Sequence, residues 1–227
     1  VIRSEDPEIN FLKKVRELAT KKNIILIFDE CTSGFRETYG GIHKKYKVEP
    51  DMAMFGKAMG NGYAITAVIG KRDIMQSAQS TFISSTFWTE RIGPTAALAT
   101  LSEMKKVQSW EKITDIGKYI KSSWARLSQT HGIDITISGL DALPLMSIKG
   151  NDSNAYKTYI TQEFLKKGYL AANSVYVSIA HEKSLVDEYL NQLDNIFNTI
   201  SKCQKGSIDI KEILEVPEAA TGFSRVN

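Results

Sequence analysis

Two carboxylates and a lysine stand in this chain where an enzyme built on a β-sheet would use them. Asp29 and Glu30 directly follow an apolar run at residues 24–28, and Lys57 follows a shorter apolar run at residues 52–55. The first run is rich in isoleucine and predicts a strand buried on both faces, as in a parallel sheet. Ligands in open α/β sheets bind at the carboxyl ends of the strands. If the two strands are neighbours, Asp29 and Lys57 therefore face one cavity.

Spacing alone leaves two interpretations of this pair open. An Asp-Glu pair after a strand is often a helix cap or a surface turn, and a lysine in a glycine-rich loop is often solvated. Alternatively, the lysine amine forms a Schiff base with pyridoxal 5'-phosphate (PLP), and the carboxylate pairs with the pyridinium nitrogen of that cofactor. The glycines at positions 56, 60 and 62 would then let the backbone approach the cofactor closely.

Three longer motifs surround these residues. They are Ile-Phe-Asp-Glu-Cys-Thr-Ser-Gly-Phe-Arg at residues 27–36, Phe-Gly-Lys-Ala-Met-Gly-Asn-Gly at 55–62 and Ser-Ser-Thr at 84–86. The sequence with these motifs resembles the class III aminotransferases, in the branch that includes glutamate-1-semialdehyde aminomutase. The order and spacing of the Asp-Glu, Lys and Thr motifs make the resemblance specific, and it extends over nearly all of the chain, with fainter similarity at 178–181 and 222–225.

The resemblance implies a role for each of five residues. Lys57 is the catalytic Schiff-base lysine, and Asp29 is the partner of the pyridinium nitrogen. Cys31 falls where relatives place an aliphatic residue against one face of the PLP ring, and Thr32 is positioned to hydrogen-bond the ring's phenolic oxygen. Thr86 matches the threonine that reaches the cofactor phosphate of the neighbouring subunit, which implies a homodimer with its active site at the interface.

The implied reaction is ping-pong transfer of an amino group between a small-molecule amino donor and a carbonyl acceptor through the Lys57 Schiff base. An aminomutase of the glutamate-1-semialdehyde type is the alternative within the same chemistry. By resemblance the chain is the C-terminal portion of such an enzyme, and the other half would carry the phosphate-binding loop. A non-catalytic fragment that lacks that half is therefore the alternative from another class. Residues 87–94 are bulkier than in relatives, so the identity of the substrate does not follow.

Two further residues, Glu30 and His43, have open or minor roles. Glu30 either pairs with an arginine such as Arg36 to hold the turn or contacts substrate directly. His43 is expected at the surface. No set of His, Cys and carboxylates has the spacing of metal ligands, so no metal site is predicted.

Composition excludes several other classes of function. The 227 residues are 42% hydrophobic and 24% charged, which is ordinary for a soluble globular protein. A net charge of +3 without a Lys/Arg block argues against nucleic-acid binding. No apolar run approaches the roughly 20 residues that span a bilayer. Two distant cysteines, Cys31 and Cys203, indicate a reducing, cytoplasmic setting.

The hydrophobic pattern predicts an α/β part followed by a smaller α+β part. By resemblance, residues 1–108 form the C-terminal part of a PLP-binding, fold type I large domain, a mostly parallel sheet with flanking helices. Residues 109–227 form the small domain. Helices are predicted near 7–22, 43–47, 73–78, 94–107, 110–127, 155–167 and 184–200, and strands at 24–28, 52–55, 64–70, 133–138, 143–148 and 175–179.

Overall fold

The computed structural model describes residues 9–83, 86–87 and 89–220, and these form two compact units that divide between Thr114 and Asp115. The first unit is α/β and the second is α+β. The division lies within one long helix, Ser109–His131. The domain boundary that the sequence suggests, between residues 108 and 109, falls at the start of that helix and stays a prediction. The predicted helix start at Asp6 and Pro7 lies outside the described residues.

The first unit alternates helices with short strands. Its helices are α1 (Ile9–Lys21), α2 (His43–Tyr46), α3 (Arg72–Met75) and α4 (Ile92–Val107), its strands are β1 (Ile27–Asp29), β2 (Met52–Phe55) and β3 (Ala67–Gly70), and short 3₁₀ turns lie at Lys57–Met59 and Gln76–Ser80. The helix α1 is strongly amphipathic, as its pattern of apolar residues predicts.

The three strands form one sheet with β2 at its centre. Strand β1 pairs with β2 in parallel, so that Asp29 lies opposite Met54, and β3 pairs with β2 in the antiparallel sense. Ala53 and Phe55 of β2 are buried and pack with Met59 and Ala97. This cluster anchors the chain on both sides of residues 56 and 57, immediately beyond the carboxyl end of β2.

The expectation that residues 24–28 form a strand buried on both faces is wrong. The strand covers Ile27–Asp29 only, and the side chains of Ile25 and Ile27 are 52% and 49% exposed. The expected buried strand at residues 64–70 is likewise shortened to Ala67–Gly70, with Val68 and Ile69 exposed. The physical reason is that β1 and β3 are the two edges of a narrow sheet, and neighbours within the described residues cover little of their apolar side chains.

A buried carboxylate fixes the amino ends of β1 and β2. Asp51, which is 6% exposed, accepts hydrogen bonds from Leu26 N (2.8 Å), Lys71 Nζ (2.7 Å) and Arg16 Nη1 (2.8 Å). The backbone donor at Leu26, then Lys71 and Arg16, hold the pKa of this carboxyl well below its usual range. Asp51 therefore ties α1, β1 and the end of β3 to one point.

The second unit packs helices on a two-stranded sheet. Its elements are the rest of α5 (Ser109–His131), β4 (Ile135–Ser138), β5 (Leu145–Ile148), α6 (Ser153–Lys166), α7 (Lys183–Gln204) and a 3₁₀ turn at Ile210–Glu212. The strands pair in the antiparallel sense, and they lie within the predicted strands at 133–138 and 143–148. The core is built around fully buried aromatic side chains, Trp124, Phe164 and Phe197.

The predicted strand at residues 175–179 is not a regular strand. The residue just before it, Ser174, forms an isolated bridge with Leu145 of β5. Val175 N and Val177 N donate to the carbonyls of Pro144 and Ala142, which precede β5. The segment is apolar enough to pair, but its hydrogen bonds reach the loop before β5 rather than the strand itself.

Candidate active site

The parallel pairing of β1 and β2 brings the predicted acid and lysine to the same edge of the sheet. Asp29 is the last residue of β1, and the next amide, Glu30 N, donates to Met54 O at 2.8 Å. Lys57 stands two residues beyond the end of β2 and starts a 3₁₀ turn. Both residues therefore emerge at the carboxyl ends of neighbouring strands, where ligands bind in sheets of this kind.

Lys57 contacts a residue from the loop after β1. Its Nζ donates a hydrogen bond of 2.6 Å to Thr32 Oγ1. Thr32 is only 7% exposed, and its carbonyl accepts a 2.6 Å bond from Arg36 Nε. The threonine is therefore fixed by the loop, and it holds the lysine amine at one point above the sheet edge.

The backbone of Lys57 is in the left-handed region, with φ of 43°. Such a conformation costs a non-glycine residue on the order of 1–3 kcal/mol, and it concentrates at functional sites. It persists here because Gly60 N and Asn61 N both donate to Lys57 O and close the turn. The turn therefore fixes the direction in which the lysine leaves the sheet.

Cys31 and Asp29 complete the group. The Cys31 sulfur lies 3.8 Å from the position that a Cβ on Gly56 would occupy, so Cys31 is beside the residue that precedes Lys57. Asp29 is exposed, and its Oδ1 accepts a 3.1 Å bond from Cys31 N. Four of the five residues singled out from the sequence, namely Asp29, Cys31, Thr32 and Lys57, thus belong to two adjacent strand ends.

Thr86, the fifth, lies in an exposed turn between β3 and α4. No hydrogen bond within the described part of the chain connects it to Lys57 or to Thr32. Its neighbours Ser84, Ser85 and Trp88 lie outside the described residues.

Glu30 has a role that its position next to Asp29 did not indicate. It is 2% exposed, and it accepts bonds from Ser33 Oγ, from the backbone of Ile42 and from both the backbone and Nδ1 of His43. Arg36, considered from the sequence as one possible partner of Glu30, donates from its Nε to Thr32 O. His43, expected at the surface, is buried. The sequence carries no signal for these contacts, because Ile42 lies twelve positions beyond Glu30 at the far end of a loop.

The sequence profile of the family Aminotransferase class-III matches residues 5–203. The chain belongs to the class III aminotransferase family. It is 30% identical over 209 residues to the 3-aminobutyryl-CoA aminotransferase of Cloacimonas acidaminovorans, which covers 92% of this chain and 49% of that protein. It is 27% identical to the glutamate-1-semialdehyde 2,1-aminomutase of Sulfurihydrogenibium sp., with 86% of this chain and 50% of that protein covered.

Solved protein structures share the fold of this chain. The FumI protein of Sphingopyxis sp. MTA144, solved in its PLP internal aldimine form, superposes with a TM-score of 0.80 at 22% identity over 91% of this chain and 50% of FumI. An omega-transaminase from Sphaerobacter thermophilus gives 0.79 at 18% identity, over 88% of this chain and 50% of that enzyme. The predicted fold class, part of a fold type I α/β domain followed by a smaller α+β domain, is confirmed.

This class III chain spans about half the length of the curated relatives it matches. The described residues contain no helix long and apolar enough to cross a membrane. Among those same residues, no three His, Cys, Asp or Glu side chains come together as a possible metal site.

Proposed function

We propose that this chain carries the cofactor-linking lysine of a PLP-dependent transaminase that moves an amino group from a small-molecule donor to a carbonyl acceptor by ping-pong chemistry. The observation that supports it most directly is the 2.6 Å bond between Lys57 Nζ and buried Thr32 Oγ1, at the strand edge that also ends in Asp29. Family membership supplies the reaction class, and the two relatives described above, an aminotransferase and an aminomutase, both move amino groups.

The residues present suit PLP. A primary amine and a carboxylate stand at one edge of the sheet, and Cys31 lies next to Gly56 between the two strand ends. At that edge Lys57 would link to PLP, Asp29 would face its ring nitrogen, Cys31 would pack on the ring and Thr32 would bond its phenolic oxygen. When bound, PLP supplies the electron-poor ring that accepts the electron pair left on the donor's α-carbon.

Lys57 does two jobs in this scheme. An ammonium is not nucleophilic, so the Nζ must be neutral when it attacks a carbonyl, and the contact with Thr32 Oγ1 keeps it oriented. Once the amino donor has displaced it, the freed Nζ can take the proton from the donor's α-carbon and return it later. General base and acid catalysis of this kind contributes typically about 10²–10⁴-fold.

Asp29 supplies the negative charge. A carboxylate about 4 Å from a cation contributes on the order of 4 kcal/mol at an effective dielectric constant of about 20. Asp29 is exposed in the described structure, so this figure is an upper bound. Its Oδ1 is oriented by Cys31 N, which holds the carboxylate over the end of β1.

The role proposed for Thr86 requires a second subunit. Its hydroxyl is exposed, as a residue that donates to the phosphate of a neighbouring subunit must be before assembly. The active unit is then a homodimer. Both cysteines are thiols rather than a disulfide, which supports the cytoplasmic setting.

The deciding experiment is an absorbance spectrum of the chain with added PLP, followed by borohydride reduction and peptide mapping. We expect a visible band and a pyridoxyl adduct on Lys57, absent from Lys57→Ala and retained in Lys106→Ala, an exposed lysine on α4. Adducts scattered over surface lysines, with the same result when an upstream half of a class III enzyme is added, would favour a non-catalytic fragment.

An aminomutase is the second candidate, supported by the 27% identity to the Sulfurihydrogenibium aminomutase. A mutase retains its intermediate, whereas a transaminase releases a keto product and accepts another. Rapid exchange of amino groups with external 2-oxo acids would exclude the mutase.

A further inference from the structure

The buried carboxylate beside Asp29 is bound on every side. Glu30 Oε2 accepts from Ser33 Oγ at 2.6 Å and from Ile42 N at 2.9 Å, and its Oε1 accepts from His43 N at 3.0 Å and His43 Nδ1 at 2.9 Å. Its own amide continues the ladder to Met54 of β2. Glu30 is therefore a junction between the end of β1, the loop that follows and the first turn of α2.

Glu30 cannot itself touch a substrate at the strand edge. Successive side chains of an extended segment point to opposite sides, and only Asp29 is exposed. A carboxylate that is 2% exposed with four donors has its acceptor capacity occupied. Any effect of Glu30 on the site must pass through the residues that it holds.

The path from Glu30 to the lysine is short. Ser33 Oγ donates to the Glu30 side chain, and Gly34 N donates to Glu30 O at 2.7 Å. Thr32 lies between these residues, so one side-chain bond and one backbone bond close the turn that contains it. The same turn lies against β2, since a Cβ on Gly34 would come within 2.6 Å of the Phe55 ring. Thr32 Oγ1 then receives Lys57 Nζ.

We propose that Glu30 is a positioning residue which, through the Ser33 turn, sets Thr32 against Lys57 and so controls the reactivity of the lysine amine. The consequence for PLP rests on the proposed function, but the control of the amine does not. Glu30 is held by neutral donors and by His43, so its role is to fix geometry rather than to exchange protons with substrate.

The test measures the amine directly, without cofactor. Trace acetylation with acetic anhydride gives the rate at Lys57 relative to exposed Lys106 in the same molecule. We expect Thr32→Val, Glu30→Gln and the milder Ser33→Ala each to change that relative rate in the same direction, by about threefold to tenfold. This is the range expected when one ordinary intramolecular hydrogen bond is lost.

The double variants carry the argument. If Glu30 acts through Thr32, then adding Glu30→Gln or Ser33→Ala to Thr32→Val leaves the rate at the Thr32→Val value, because coupled residues are not additive. Additive effects, or a wild-type rate in both single variants, would overturn the proposal. Ser33→Ala keeps the buried charge, so it remains informative if Glu30→Gln fails to fold.

A matched control separates positioning from general loosening. Asp51 is a second buried carboxylate with three donors, at the opposite ends of the same two strands. We expect Asp51→Asn to destabilise the fold yet leave Lys57 acetylation unchanged. A change as large as that of Glu30→Gln would show that any loosening of the sheet suffices, and the proposal would be wrong.

PLP labelling in the same samples distinguishes the two hypotheses. If the wild type forms no PLP adduct on Lys57 while the acetylation rates of the variants change as expected, the proposed function is contradicted and the role of Glu30 is supported. A normal adduct with no effect of Glu30 or Ser33 on either readout does the reverse.

Discussion

Two adjacent carboxylates of this chain have opposite environments because the backbone is extended where they occur. Asp29 ends β1 exposed and accepts a hydrogen bond from the backbone of Cys31, while Glu30 is buried among four donors. The pleat of the strand separates them onto two faces. A sequence pattern of two acids after a strand therefore contains one candidate for chemistry and one for architecture, and only the structure shows which is which.

Replacing Asp29 tests the first of these roles. We expect Asp29→Asn to weaken PLP binding at least about tenfold, because an ion pair with the ring nitrogen becomes a neutral contact of similar shape. The fold should be little affected, since the side chain is exposed at the end of β1 and asparagine keeps the oxygen that accepts from Cys31 N. A PLP titration followed by absorbance, with circular dichroism as the check on folding, measures both.

Asp73→Asn is the control for that experiment, because Asp73 is an exposed carboxylate on α3 of the same unit. It should leave PLP affinity unchanged. Equal affinities of wild type and Asp29→Asn would remove Asp29 from the proposed site.

Asp51 makes a prediction about pH. Its hydrogen bonds from Leu26 N, Lys71 and Arg16 depress its folded-state pKa, so its stabilisation is full above the unfolded-state value of about 3.9. It is lost as the pH falls further toward the folded-state pKa. The difference in free energy of unfolding between wild type and Asp51→Asn should be constant above about pH 5 and shrink below about pH 4. Urea unfolding across that range gives the difference, and a gap that widens on acidification would contradict the assignment.

At the scale of elements, helices followed from sequence better than strands. The amphipathic patterns that predict helices near 94–107, 155–167 and 184–200 match α4, α6 and α7 to within a few residues. A helix makes its hydrogen bonds locally, so its own sequence largely determines it. The extent of β1 depends instead on its pairing with β2. Residues 24–28 alone therefore do not predict that this pairing is short or that β3 pairs with β2 in the antiparallel sense.

The candidate site was likewise predicted only in part from the sequence. The shared edge of Asp29 and Lys57 was predicted, because it depends only on two strands being parallel neighbours. The hydrogen bonds that Glu30 accepts from Ile42 and His43 were not predicted. They close an irregular loop, and a loop has no hydrophobic periodicity from which its path could be inferred.

Gly117 in α5 shows where a helix tolerates no side chain. A Cβ there would lie 1.6 Å from the carbonyl oxygen of Asp141. Alanine normally stabilises a helix interior by about 1 kcal/mol over glycine, but overpacking costs about 1–3 kcal/mol and a clash with backbone lies at or above the upper end. We expect Gly117→Ala to destabilise the second unit by about 2 kcal/mol or more in urea unfolding. Ser122→Ala, exposed on the same helix, should change stability by less than about 0.5 kcal/mol.

Helix α6 holds the chain that follows α7 with side chains spaced four residues apart. Gln162 donates to Ile213 O and accepts from Glu215 N at 2.7 Å, and Thr158 Oγ1 accepts from Ala219 N at 3.0 Å. The full stripe is Asn154, Thr158, Gln162 and Lys166. Residues at this spacing share one helix face, so the stripe forms a continuous track for an extended segment.

Replacing Gln162 should release that segment. We expect Gln162→Ala to speed hydrogen exchange at the Glu215 amide about fivefold to tenfold, because its acceptor is lost. Thr161→Ala, next to it on the helix, is the control, since Thr161 Oγ1 bonds to Lys157 O within the helix. Equal exchange in both variants would mean that the track does not hold the tail.

At the scale of the whole molecule, each unit has its own core. Ala53, Phe55, Met59 and Ala97 pack in the first, and Trp124, Phe164 and Phe197 are fully buried in the second. The four predicted site residues that lie at strand ends all belong to the first unit, so the cofactor contacts proposed for them depend on that unit's sheet. Thr86 also belongs to it, but its proposed role requires a second copy.

Mixing two defective variants tests that requirement. Lys57→Ala lacks the linking amine but keeps Thr86, and Thr86→Val lacks the hydroxyl but keeps Lys57. If Thr86 serves the partner's site, a mixed dimer contains one site with both native residues. After random subunit exchange, about half of the Thr86→Val chains have a Lys57→Ala partner, so about half of the Lys57 sites should regain wild-type PLP affinity.

The alternative arrangement gives a different number. If Thr86 contacts the PLP of its own subunit, each site keeps its own defect and mixing restores nothing. PLP titration with borohydride trapping on Lys57 counts the restored sites, and sedimentation of the same mixture shows whether dimers are present. Dimers without restoration would place Thr86 in its own subunit's site, whereas monomers throughout would remove the shared site from the proposed function.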